Sequence, residues 1–147
     1  PLKVVGGGKQ EDELRKMAHN ASIEIVGEVD DDKLAELYLG CRAVIFPASQ
    51  EDFGLVPVEA MAAGKAVIAN AEGGVLETVI DKKTGVYFDP PTTGSLTLAI
   101  NNFINMEKKG TFDTRYIRKH AQKFGKERFK KEILKMVDGV KVNMQKT

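Results

Sequence analysis

The chain has 147 residues, with 22 Lys+Arg against 21 Asp+Glu and 42% hydrophobic residues, the values of a globular domain that buries about 68–70% of its unfolded surface without a disulfide or metal staple. No run of about 18 apolar residues is present, which excludes a simple membrane-spanning helix, and a net charge of +1 lacks the basic excess of a nucleic-acid binder. The single cysteine, Cys41, excludes an internal disulfide framework, fits a reducing compartment, and reads as a core side chain following a helix.

Pro1 is not an initiator, and an apolar run begins at once, so the chain is expected to open inside a structure, as an N-terminally truncated single domain over residues 1–147. Residues 2–8 read as a buried strand running into a glycine turn, and residues 11–20 as a helix with Leu14, Met17 and Ala18 at helical spacing. A strand over 23–26, a helix over 33–40 and a strand over 43–46 follow, the last stopped by Pro47. Residues 55–63 carry a helix ended by Gly64. Next come a strand over 66–69, a turn at Gly73 and Gly74, a short helix, and a strand over 86–88. Strands that do not alternate, separated by helices, predict a doubly wound parallel α/β sheet.

From Gly94 the pattern is helical. One apolar helix carries Leu96, Leu98, Ile100, Phe103 and Ile104, and a second spans 113–124. The tail from Lys126 sets Phe129, Ile133, Leu134 and Val137 on a stripe, with Lys130, Lys131 and Lys135 between them. The lysines read as a solvated face, with a membrane surface or an acidic partner as the sharper alternative. His19 and His120, in helical stretches, read as structural or exposed.

In open α/β sheets, ligands sit beyond the carboxyl ends of the strands, so three loops carry the functional signal. After the first strand, Gly6, Gly7 and Gly8 precede a helix and let backbone approach a ligand. A bare tight turn explains them equally well, and Glu11 in the third glycine position disfavours a nicotinamide dehydrogenase. In residues 27–32, Asp30, Asp31 and Asp32 could ligate a divalent cation; capping of the helix they precede is the stronger reading.

The third loop, residues 47–54, leads into a helix whose start is marked by Pro57 in its first turn. Gly54 falls just before that start, so the first amides face any anion beyond the strand end, a pyrophosphate being the natural candidate. Glu51 and Glu59 must then do something other than touch phosphate, since like charges a few ångströms apart repel by several kcal/mol at an effective dielectric of about 20. Carboxylates grip vicinal hydroxyls through charge-assisted bonds. Glu51 and Glu59 flanking a diphosphate would suit a nucleotide sugar. Alternatively Glu59 favours the helix terminus electrostatically and Glu51 is a loop charge.

Residues 51–69, followed by Gly73-Gly74-Val75-Leu76-Glu77 and by Thr84-Gly85-Val86-Tyr87-Phe88, resemble the donor-binding half of group-one retaining glycosyltransferases of the GT-B fold, especially the mannosyltransferase branch. The carrying signature is Glu51 and Glu59 separated by seven residues, with Pro47, Phe53, Gly54 and Ala60 in the family's order. The resemblance implies a Rossmann-like half of a GT-B fold with a helical tail. It implies that Glu51 holds hydroxyls of the transferred sugar and orients it for catalysis. Asp52, Phe53, Gly54, Leu55 and Val56 would face sugar and diphosphate, and Glu59 the ribose. Val29 and Asp31 would edge the base, with Gly7 and Gly8 near the same cleft.

The implied ligand is a nucleoside diphosphate sugar, with GDP-mannose favoured, and no metal is required. The family's diphosphate-binding Arg and Lys precede the point where this sequence starts, and Lys9 is no substitute. The acceptor, a glycan or lipid, would be bound by a separate N-terminal domain, and the whole enzyme is expected to be cytoplasmic, with peripheral membrane association. This piece is expected to be inactive alone. A non-catalytic nucleotide-binding module or an α/β interaction domain remains the alternative.

Overall fold

The computed structural model describes residues 1–19 and 21–144, with side chains described as far as Val137. Strands and helices alternate as β1 (Leu2–Val5), α1 (Glu11–Ala18), β2 (Ile23–Gly27), α2 (Asp31–Gly40), β3 (Ala43–Phe46), α3 (Leu55–Ala62), β4 (Ala66–Asn70), α4 (Val75–Thr78) and β5 (Gly85–Phe88). Then come α5 (Thr93–Lys108), α6 (Thr114–Ala121), a 3-10 turn (Gln122–Phe124) and α7 (Lys126–Met144). The chain divides into two compact units, Pro1–Gly40 and Cys41–Thr147.

In the first unit β1 pairs with β2 in parallel, Leu2 opposite Ile23 and Val4 opposite Ile25, with a register irregularity before Val5. Arg15 braces α1 against β2, donating to the Ile25 carbonyl at 2.9 Å and to Glu11. The strand expected to be buried is not: Leu2 and Val5 are 41% and 37% exposed. Two strands and one packed helix offer too little apolar surface to enclose either face. The expected end of the first helix, at Asn20, lies outside the described residues.

The second unit holds a parallel sheet in the order β3-β4-β5, with Val44 opposite Val67 and Ile68 opposite Val86. Every residue of β4 is buried, because helices cover both faces of this central strand and its short apolar side chains pack both ways. Met61 of α3, Val75 of α4 and Ile117 of α6 are fully enclosed in the core. α5 starts at a capping box between Thr92 and Ser95, and α6 at Asp113, whose carboxylate accepts from the amides of Arg115 and Tyr116.

The alternation and parallel pairing agree with the expected doubly wound class. The strands form two sheets among the described residues rather than one. Runs of four or five apolar residues define a strand without naming its neighbour, and register is strongly specified only where a face is buried. Cys41 corrects a second expectation: it is half-buried, not core, and burial raises its thiol above the ordinary range. The 113–124 helix ends at Ala121 and tightens into the 3-10 turn. No helix among the described residues is long and apolar enough to cross a membrane.

Candidate functional site

The loop between β3 and α3 is shaped by two left-handed residues, Gln50 at φ 58° and Gly54 at φ 77°. A positive φ at a non-glycine such as Gln50 is uncommon and marks backbone held by its surroundings. Gly54, buried, is the N-cap of α3 and supplies no side chain to it. A cap glycine leaves the first-turn amides to other acceptors. Glu51 Oε1 accepts not from that turn but from the N–H of the cap residue Gly54 itself, at 3.2 Å. The carboxylate therefore sits at the mouth of α3. Phe53, Leu55 and Val56 around it are 42%, 63% and 38% exposed, whereas Pro57 in the first turn is buried.

Glu59 lies in the second turn of α3 and is exposed, and the first turn carries no acidic residue. Dipole stabilisation fades beyond the first turn, so electrostatic support of the helix terminus does not account for Glu59. Asp52 is exposed in the loop.

The support of this loop was not legible in the sequence. Gly73 and Gly74 press backbone to backbone against it: the Gly74 amide donates to the Glu51 carbonyl at 2.9 Å. A methyl at Gly73 would collide with that carbonyl, and one at Gly74 with Asp52 and Phe53. Asn70, buried at the end of β4, donates to the Ala48 carbonyl at 3.4 Å and to Glu72 Oε2 at 3.3 Å. An asparagine closing an apolar strand was the only local signal for it. Beside the loop opens a cleft of about 540 Å³, lined by Glu51, Asp52, Glu72, Gly73, Gly74 and Glu77 among others. Its carboxylates repel anions and accept from hydroxyls.

In the first unit the loops after β1 and β2 approach one another. A methyl at Gly7 would lie 2.9 Å from Glu28 Cγ, whereas Gly8 faces open space. Val29 is half-buried and Asp31, exposed, is the first residue of α2, which starts two residues before the expected Lys33. Asp30 accepts the Lys33 amide at 2.8 Å, so the first of the three aspartates caps this helix as expected. Among the described residues, no group of three or more His, Cys, Asp and Glu side chains is placed to hold a metal.

His120 is buried with its Nε2 at 2.7 Å from the Thr78 carbonyl, in keeping with its structural reading. Tyr87 donates to the Val79 and Val75 carbonyls at 2.6 and 3.1 Å, and burial lifts its phenol above the ordinary value.

Known proteins resemble this chain in sequence and in fold. The chain is 44% identical over 77 residues to alpha-1,3/1,6-mannosyltransferase ALG2 of Dictyostelium discoideum, covering 52% of this chain and 18% of that protein. It is 32% identical over 108 residues to a glycogen synthase of Mycobacterium tuberculosis, covering 71% of this chain and 26% of that one. The structure of HepE from Anabaena in complex with UDP-glucose superposes with a TM-score of 0.77 at 26% identity, over 93% of this chain and 40% of that one. The chain thus spans less than half the length of each. Residues 1–129 match the family described as glycosyl transferases group 1, and the chain belongs to that family.

Proposed function

We propose that this chain binds the donor of a retaining hexosyl transfer, a nucleoside diphosphate sugar, and that the hexose is mannose carried by GDP. The acceptor, a glycan or lipid, would be bound by a separate domain, and the chain alone would be inactive in transfer. The observation that carries the reading is the mouth of α3, where the N-cap Gly54 gives the first-turn amides no side-chain acceptor and no acidic residue lies in the first turn, with the Glu51 carboxylate held beside it on the Gly54 amide. An anionic diphosphate is suited to the amides of that first turn. Glu51 and the acid-lined cleft beside it suit the hydroxyls of a neutral hexose. Backbone of Phe53, Gly54, Leu55 and Val56 would meet sugar and diphosphate, with Asp52 at the edge, and Glu59 the ribose. In the first unit, taken by itself, the loops carrying Gly7, Gly8, Val29 and Asp31 are proposed to face a nucleoside.

During transfer the bond from the anomeric carbon to the diphosphate breaks and the acceptor hydroxyl takes its place with retained configuration. Negative charge grows on the leaving diphosphate, and amides fixed in advance at the α3 terminus stabilise it without reorganising. Glu51 orients the sugar and is not assigned as a nucleophile. The mannose preference is supported by the mannosyltransferase relative; the setting would be cytoplasmic, with peripheral membrane association of the whole enzyme.

Calorimetric titration of the chain with GDP-mannose, UDP-glucose and ADP-glucose tests this. GDP-mannose should bind tightest. Glu51→Ala should weaken the nucleotide sugar by about tenfold or more without weakening the bare diphosphate, whose like-charge neighbour it removes. Absence of heat with all three, or wild-type affinity in the variant, overturns the reading.

A further inference from the structure

His120 is 7% exposed and its Nδ1 has no hydrogen-bond partner among the described residues. A buried polar atom left unpaired is unfavourable, and an apolar side chain of similar shape would avoid the cost. What the rest of the imidazole does is therefore the informative question. Nε2 faces the Thr78 carbonyl at 2.7 Å, an acceptor, so Nε2 carries the proton and donates. Thr78 is fully buried and its hydroxyl donates to the Gly74 carbonyl at 3.2 Å. The Gly74 amide in turn donates to the Glu51 carbonyl. A second route leaves the same ring: His120 meets Phe124 edge-on, centroids 5.5 Å apart at 74°, and Phe124 meets Phe53 at 6.0 Å and 75°. Both routes converge on residues 51 and 53.

We propose that His120 is a positioning residue for the 51–54 loop, locking its two supports, the α4 turn and the Phe124 ring, to one another. The imidazole is suited to this because a single side chain offers a directed N–H donor and an aromatic edge. It does not touch ligand. Its effect on function rests on the donor-site reading above, while its effect on the loop does not.

The test compares His120→Ala, Phe124→Leu and Phe124→Tyr with the wild-type chain by amide hydrogen exchange and by titration with GDP-mannose, both well below the melting temperature. In His120→Ala and Phe124→Leu the amides of Gly54 and Gly74, both bonded to Glu51, should exchange about tenfold faster while those of β4 keep their protection. Affinity should fall by a similar factor. Phe124→Tyr, which keeps the ring edge, should behave as wild type in both. If His120→Ala fails to fold, Phe124→Leu decides. Unchanged exchange at residues 54 and 74, or a uniform rise that includes β4, overturns the proposal. A wild-type chain that binds no nucleotide sugar sinks the donor reading instead, and exchange still decides the role of His120.

Discussion

In the second unit β4 is buried at all of its positions, whereas in the first unit β1 and β2 leave Leu2, Val5 and Ile23 at 41%, 37% and 38% exposed. Both units use a parallel strand leading into a glycine-bearing loop and then a helix, yet the glycines do different jobs. Gly73 and Gly74 exist to admit backbone, with no room for a methyl, while Gly8 faces open space. A packed sheet with helices on both faces fixes where neighbouring backbones lie, and so can hold a left-handed Gln50 and a loop in backbone contact. A two-stranded sheet with exposed faces over-determines much less.

The largest expected effect breaks this comparison most directly. Gly74→Ala drives a methyl into the Asp52 carbonyl and the Phe53 backbone, and should destabilise the second unit by about 3 kcal/mol through overpacking. Gly8→Ala should stay within about 0.5 kcal/mol. Urea unfolding followed by circular dichroism measures both. Equal midpoints for the two variants would show that the close approach at Gly74 is not a constraint.

That contrast also explains what the sequence could tell. The start of α3 and its cap at Gly54 were legible because Pro57 and Gly54 act within a few residues of one another. The capping role of Asp30 was legible for the same reason. The supports were not, because each joins distant positions: Asn70 to Ala48, Gly74 to Glu51, His120 to Thr78 and Phe124 to Phe53. No local pattern encodes such pairs. The division into two sheets was hidden likewise, since apolar runs define strands but not their partners, and the reading of Cys41 as core failed because position after a helix does not fix which way a side chain faces.

The helix caps sharpen the comparison at intermediate size. Asp113 accepts from two amides at 2.8 and 3.3 Å at the start of α6, a helix with Ile117 and His120 in the core. Asp113→Ala should lower the stability of the second unit by about 1 kcal/mol, read as a shift in its unfolding midpoint. Asp30→Ala removes a comparable cap from α2, which buries no residue. There the loss should appear as faster amide exchange in the first turn of α2, with the midpoint of the second unit unmoved. If both variants shift that midpoint equally, the units do not differ in how a local loss is transmitted.

The smallest effect concerns charge at the surface of each unit. Arg42 pairs with Glu107, linking the residue before β3 to the end of α5, and holds the Glu107 carboxyl below its ordinary 4.5. Because the folded value is depressed, the stability it contributes is present above pH 4.5 and is lost as pH falls through the folded value. Glu107→Gln should therefore melt slightly below wild type at neutral pH, the two curves should converge on acidification, and added salt should shrink the gap. Lys3 and Glu24, paired at 2.9 Å with side chains 46% and 57% exposed, join two strands that already lie side by side and are open to solvent. Replacing Glu24 by Gln should leave melting unchanged at neutral pH, since an exposed pair is screened and its geometry is costly in side-chain entropy. A gap for Glu24→Gln as large as that for Glu107→Gln would show that the thin sheet of the first unit depends on its surface charges, where the second unit relies on its core.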